Sequence, residues 1–309
     1  MPTPPLDPQE EARRISTWQR LGRRRNAAAA ELGISPNTLD HTIERWSRRR
    51  EQPPRTHLVI PDAHATPGVS NARFEWLGRL VVDLRPDVII DLGDWSDMPS
   101  LCLYDREVKR REFIGRSYKE DVAVARDALE RFEAPLLDHN AKRQKPFRPR
   151  KVKLYGNHDF RIQRALLADP VQLDGLISLQ DLGAEEWGWE VHDFLKMVEI
   201  DGILYSHYFT SGPMGRPIAG KHHAANLVAK TLMSATCGHS HARDFKTVTR
   251  ADGRKVHGLV AGCYFEHFMD YAGQANADVW RGVVIKRNVR DGDYDPEFLS
   301  LEAIRKRYG

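Results

Sequence analysis

The sequence predicts an α/β body with mixed β-sheets, preceded by a small all-α unit. Three observations carry that reading. Short apolar runs (Leu58-Val59-Ile60, Val88-Ile89-Ile90, Val152 to Tyr155) are separated by stretches of helical periodicity. Later apolar segments come in pairs around Asp201-Gly202 and Asp252-Gly253, as hairpins do. Residues 1–56 are arginine- and alanine-rich, with helical spacing and no strand-like run.

Composition bounds the function. The chain has 309 residues, 41% of them apolar and 29% charged, and a mean hydropathy of −0.56. These are the values of a soluble globular protein and exclude a disordered or collagen-like chain. No apolar run approaches the roughly 18 residues needed to cross a bilayer, so no membrane partner is expected. The N-terminus lacks an apolar stretch after a basic start and does not read as a secretory leader. Cys102, Cys237 and Cys263 are odd in number and widely spaced, which excludes a disulfide scaffold and points to a reducing cytoplasm. The net charge of +4 is uneven: residues 1–56 hold eleven arginines and no lysine against seven acids, and the remainder balances 36 bases against 36 acids. A basic appendage on a neutral body suits an anionic partner such as nucleic acid.

Each element follows in order. Pro2 to Pro8 is too proline-rich for helix or ladder and reads as a lead-in. Ile15, Trp18 and Leu21 mark a helix between Pro8 and Arg25, and Arg25 to Leu32 a second one that Gly33 ends. Ser35 caps a third helix with Pro36 at its first position, carrying Leu39, Ile43 and Trp46 and ending in Arg48-Arg49-Arg50. Gln52-Pro53-Pro54 is a stiff linker, which places the domains at 1–55 and 56–309. In the body, strands are expected at 58–60, 88–90, 152–155 and 280–289, hairpins at 197–205 and 248–260, and helices ending at Arg85, across 103–138 and across 219–231. Ser300 to Tyr308 reads as a basic helix or a frayed tail.

Polar residues of one type cluster behind the apolar runs. Asp62-Ala63-His64, Gly93-Asp94-Trp95-Ser96-Asp97, Gly156-Asn157-His158-Asp159, Ser206-His207 and Gly238-His239-Ser240-His241 each follow one. Ligands of open α/β sheets bind outside the carboxyl ends of strands, so these five loops are expected at one crevice. Imidazole with carboxylate suits Mn, Fe or Zn. Seven ligands exceed what one tetrahedral ion needs and suit two ions sharing a carboxylate, the arrangement that clamps a phosphoryl displacement.

The order D-x-H, G-D-x-x-D, G-N-H-D, H, G-H-x-H resembles the calcineurin-like metallophosphoesterase superfamily, over residues 56 to about 290. The resemblance implies a sandwich of two mixed β-sheets flanked by helices. It also implies two divalent cations, Mn²⁺ by default with Fe or Zn as alternatives. Asp62, His64 and His241 would hold the first ion, Asn157, His207 and His239 the second, and Asp94 would bridge them. A bridging hydroxide would attack phosphorus, with His158 protonating the leaving oxygen or stabilising the transition state. Asp159 and Asp97 would orient His158 and a neighbouring imidazole or arginine, although Asp97 reads equally as a helix N-cap. Arg161 and Arg164 either grip a phosphate or face solvent. His222-His223 either touches a phosphate or forms a solvated helical pair. Cys237 reads as a small core residue.

Arg25 to Leu39 resembles a helix-turn-helix of DNA-binding proteins, in which the second helix would offer Asn37, Thr38, Asp40, His41 and Arg45 to a major groove. Arg23, Arg24, Arg25 and Arg48 would add phosphate contacts. So would the run Lys142, Arg143, Lys145, Arg148 and Arg150, expected beside the active site. Pairing such a module with a phosphoesterase resembles phage and prophage proteins, which implies a bacterial or phage-infected cytoplasm. The expected function is a two-metal phosphodiesterase, a DNA nuclease foremost. The alternative is a small-molecule phosphatase or (cyclic) nucleotide phosphodiesterase using the N-terminal module for assembly.

Overall fold

The computed structural model describes residues 7–51, 53–103, 114–267 and 278–309. The lead-in at 2–6, the part of the expected 103–138 helix that falls on 104–113, and the side chains of Arg48, Arg49 and Arg50 lie outside the described residues.

The chain divides into two compact units, Met1–Pro54 and Arg55–Gly309. The first is three helices, α1 (Pro8–Arg20), α2 (Arg25–Leu32) and α3 (Pro36–Glu51). Ala28, Ala29 and Leu39 are buried between them, with Trp18, Leu21, Ile34 and Ile43 packed around. Small residues let α2 approach closely, the left-handed Gly33 turns the chain, and the Ser35 hydroxyl accepts the Thr38 amide at 3.1 Å.

The second unit is a sandwich of two mixed sheets. The first sheet is built from β1 (Arg55–Ile60), β2 (Val88–Asp91), β3 (Arg150–Leu154), β4 (Glu190–His192), β12 (Gly282–Arg290) and β13 (Asp293–Ser300), in the order β13-β12-β1-β2-β3-β4. β1 to β4 run parallel, and β12 and β13 are antiparallel. The second is built from β5 (Val198–Ile200), β6 (Ile203–Tyr205), β9 (Ser234–Cys237), β10 (Arg243–Thr249) and β11 (Lys255–Ala261), in the order β10-β11-β9-β6-β5, with β6 parallel to β9. β7 (Thr210–Ser211) and β8 (Arg216–Pro217) form a separate ribbon.

Alternation within the strands builds the layers. Val59, Val88, Ile90, Val152 and Leu154 face Val198, Ile203, Tyr205, Leu259 and Ala261 across the sandwich. Leu58, Ile60 and Ile89 point outward against α4 (Ala72–Leu84), α5 (Tyr118–Ala141) and the C-terminal helix Leu301–Tyr308. Helix His223–Thr231 covers the second sheet through Ala224 and Leu227. Because both faces are covered, the central strands read as unbroken apolar runs.

β13 has no counterpart in the sequence reading. It contains Pro296 and alternates acids with buried Tyr294, which only an edge strand tolerates. Among the described residues, no helix is long and apolar enough to cross a membrane.

Candidate metal centre

The five polar loops leave the carboxyl ends of β1, β2, β3, β6 and β9, all parallel within their sheets. Pairing continues past the strands. His64 donates its amide to the Asp94 carbonyl at 2.9 Å, Ala65 to Trp95 at 2.7 Å and Gly238 to His207 at 3.0 Å, and the Tyr264 amide reaches the Asp62 carbonyl of the other sheet at 3.0 Å. Two glycines are obligatory for close approach. A Cβ on Gly156 would overlap the Asp94 carboxylate, and one on Gly238 the Asp62 carboxylate. Asp62, His64, Asp94, His239 and His241 all adopt positive φ, between 34° and 68°. Each such non-glycine residue carries strain on the order of 1–3 kcal/mol, and clustered strain of this kind marks functional sites.

The side chains converge in three groups of possible metal ligands: Asp62, His64 and His241; His64, Asp94 and His158; Asp94, His207 and His239. Asp94 and His64 each stand in two of them. Asn157 Oδ1 lies 2.8 Å from both His207 Nε2 and His239 Nδ1. His207 Nδ1 faces the Leu92 carbonyl at 3.0 Å, which fixes the tautomer and turns Nε2 toward Asn157 and toward Asp94 Oδ2, at 3.3 Å.

This donor set fits cations. His64 Nε2 is buried with no hydrogen-bond partner and lies 3.8 Å from Asp94 Oδ2. His207 Nε2 and the Asn157 oxygen are both lone-pair bearers, so their separation requires a proton or a cation there. Burial pushes the Asp62 carboxyl well up. Burial acts the same way on Asp94, but the charges of His207 and His158 outweigh it and hold that carboxyl well below the usual range. Burial works against charge on His207 too, yet Asp94 and Asp62 raise it to about 9. Burial and neighbouring imidazoles lower His239 to about 4 and His241 to about 2. His239 and His241 therefore stand neutral, the form that ligates.

His158 is held from two sides. Its amide donates to Asp94 Oδ1 at 2.7 Å, and its Nδ1 lies 2.6 Å from Asp97 Oδ1. That leaves Nε2 facing the site, 4.0 Å from Asp94 Oδ2. Asp97 also contacts His64 Nδ1 at 3.5 Å and Arg161 at 3.6 Å, and it caps no helix: the following 3₁₀ turn is led by Met98.

Several expectations are corrected. The Asp159 carboxylate makes no hydrogen bond to the His158 ring. Its buried carboxylate accepts the amides of Asp94 (2.8 Å), Gly156 (3.0 Å) and Ser96 (3.2 Å) and the Ser96 hydroxyl (2.6 Å), tying two ligand loops together. Arg161 neither faces solvent nor stands free, because it donates to the Asp97 carbonyl at 2.7 Å. His223 is buried, with Nε2 3.8 Å from Cys237 Sγ, so the pair His222-His223 is not solvated as a whole.

The basic run is not beside the cluster. Arg150 opens β3 and Asn157 follows its other end, so the strand's length of roughly 13 Å, four steps of about 3.3 Å, stands between them. Lys142, Arg143, Lys145 and Arg148 are exposed at that far edge, and Arg150 pairs with Glu190 at 2.8 Å. Strand direction alone is enough to show this in the sequence.

In the N-terminal unit Asn37, Thr38, His41 and Arg45 lie exposed on α3. Arg23 and Arg24 are exposed at the α1–α2 turn, and Arg25 is engaged by Asp40 at 2.6 Å and Asn37 at 2.9 Å.

Some residues had no sequence signal. Arg73 on α4 is fully buried and donates to the carbonyls of Ala63 (2.8 Å), His64 (3.2 Å) and Tyr264 (3.2 Å), bracing the first ligand loop. A fully buried Lys153–Asp91 pair at 2.5 Å stands behind the second, where Asp91 accepts the Gly93 amide. Phe265 packs 5.0 Å from the rings of both His64 and His241, with His267 beside it at 4.7 Å.

No family model matches the chain, and no curated protein matches it. Among solved structures, TT1561 of Thermus thermophilus is similar at 9% identity over 79% of this chain and 99% of its own, with a TM-score of 0.32. A dimetal phosphatase from Danio rerio is similar at 12% identity over 81% of this chain and 97% of its own, with a TM-score of 0.35. Likeness at that level assigns no residue here a role.

Proposed function

We propose that the Arg55–Gly309 unit is a two-metal phosphodiesterase acting on nucleic acid, DNA foremost, with Mn²⁺ as its cation. One observation carries the reading: Asp94 stands in two ligand clusters at once, one with His64 and His158 and one with His207 and His239, while His64 also stands with Asp62 and His241 and the Asn157 oxygen lies 2.8 Å from both His207 and His239. Two divalent cations so held would supply an activated water and neutralise charge on the phosphoryl oxygens.

The chain's own groups do the rest. Asp97 holds the His158 ring by Nδ1 and leaves Nε2 toward the site, where it donates to the leaving oxygen or to the charged phosphoryl group. Asp159 keeps Asp94 and Gly156 in register. The exposed Arg23, Arg24 and Arg45 support a role for the N-terminal unit in recruiting the polyanion.

A small-molecule substrate is the second reading, and the location of the 142–150 run favours it, because no tract of exposed lysine and arginine from that run flanks the cluster. The test is incubation with Mn²⁺ on plasmid, single-stranded DNA, bis-p-nitrophenyl phosphate and p-nitrophenyl phosphate, with Asp94→Ala as control. Diester cleavage that Asp94→Ala abolishes is expected. Turnover of the monoester alone overturns the diesterase reading.

A further inference from the structure

Three aromatic side chains from three strand ends stand side by side against the metal centre. Tyr208 directly follows His207, and its ring lies 4.7 Å from that of His239 and 5.7 Å from that of His207. Phe194, after β4, lies 6.2 Å from His207 and 5.6 Å from Tyr208. Phe160, two residues past His158, stacks on Phe194 at 4.9 Å with the planes 29° apart.

All three are half-buried. Phe194 is backed by the cluster of Met98, Tyr155, Ile162 and Leu182, which fixes the wall while leaving part of it open. Arg164, exposed one turn along helix Arg161–Ala168, sets its charge against the Tyr208 phenol.

A cation-binding cluster flanked by π faces selects a substrate that is anionic at one end and flat and aromatic at the other. Every nucleobase has such a face, and stacking on aromatic side chains is how proteins hold bases without reading their sequence. A base inside a duplex has both faces covered by its neighbours and reaches such a wall only after leaving the stack.

We propose that Phe160, Phe194 and Tyr208 form a stacking subsite for an unpaired nucleobase joined to the phosphodiester at the metal centre. The substrate is then a single strand or a nucleotide diester, not intact duplex. The proposal rests on the diesterase reading, and two measurements keep the two apart.

The first compares methyl p-nitrophenyl phosphate with thymidine 5′-(p-nitrophenyl phosphate), which share a leaving group and differ in the other ester. With Mn²⁺ the full-length protein should prefer the thymidine diester by about five-fold or more in kcat/KM. Phe194→Leu and Tyr208→Leu should each pull that ratio toward one, chiefly through KM. An equal loss on both diesters, or no preference in the wild type, overturns the subsite.

The second measurement is quenching of 2-aminopurine fluorescence in a dinucleotide, a short single strand and a duplex, with the full-length protein and no divalent cation. Quenching of the unpaired forms that disappears in the Phe194→Leu/Tyr208→Leu double variant supports the subsite, even if neither diester is turned over and the diesterase reading falls. No quenching, or quenching of duplex as strong as that of single strand, overturns it. Quenching of the strand but not the dinucleotide marks a polynucleotide site.

Discussion

The Asp159 carboxylate accepts the backbone amide of Asp94 at 2.8 Å, so a buried acid outside all three ligand clusters holds one of the two residues, Asp94 and His64, that each stand in two of them. Asp159→Asn keeps the shape but sets an NH₂ group against amide and hydroxyl donors. Calorimetric titration should then show Mn²⁺ affinity weakened about 10–100-fold. Unchanged affinity would show that the Asp94 loop holds itself.

Asp97→Asn separates orientation of His158 from metal binding. Asp97 touches His158 and His64 by their Nδ1 atoms, away from the Nε2 that His64 turns toward Asp94. Metal content should stay near wild type while kcat falls on the order of 10²-fold. Loss of metal in parallel with rate would give Asp97 a ligand-supporting role instead.

Metal binding should release protons and strengthen with pH. Asp94 and Asp62 raise His207 to about 9 against the opposing pull of burial, so at neutral pH the ring carries a proton that a cation must displace. Apparent Mn²⁺ affinity should therefore rise from pH 6 toward pH 9 and level off above the raised pKa. His207→Gln should flatten that dependence, and an equally steep profile in the variant would assign the proton elsewhere.

Lys286 is fully buried between the sheets, donating to Thr236 Oγ1 at 2.5 Å and the Tyr205 hydroxyl at 3.2 Å. Burial pushes its ammonium well below the ordinary lysine range. The unfolded chain thus binds a proton that the folded chain resists, so stability contributed by this residue rises with pH from the folded pKa to the ordinary value near 10.4. Urea unfolding between pH 7.5 and pH 10 should show a smaller rise for Lys286→Met than for wild type. Parallel curves would mean that the buried lysine keeps its proton.

Removing residues 1–54 should weaken binding to DNA and lower its salt dependence, while leaving hydrolysis of a small diester intact. Gel-shift titration at two salt concentrations checks the first part. If cleavage of the small diester is lost as well, the unit has a structural role.

The convergence of these side chains could be read from the residues alone, because donor chemistry is local: a short apolar strand followed by Asp, Asn or His declares itself wherever the strand ends up. Asp62, His64, Asp94, Asn157, His207, His239 and His241 are all of that kind. Helix caps such as Ser35 and hairpin turns such as Asp201-Gly202 are local too, since a few backbone groups decide them. Tertiary structure alone decided which buried group serves which loop. Asp159 braces the loop of Asp94 rather than the ring of His158 beside it, Arg73 turns inward from a helix to cap four carbonyls, and Lys153 pairs with Asp91. The wall of Phe160, Phe194 and Tyr208 likewise arises from three distant strand ends. Each of these pairings depends on strand order and direction, which bring residues far apart in sequence within bonding distance, and no local pattern encodes that.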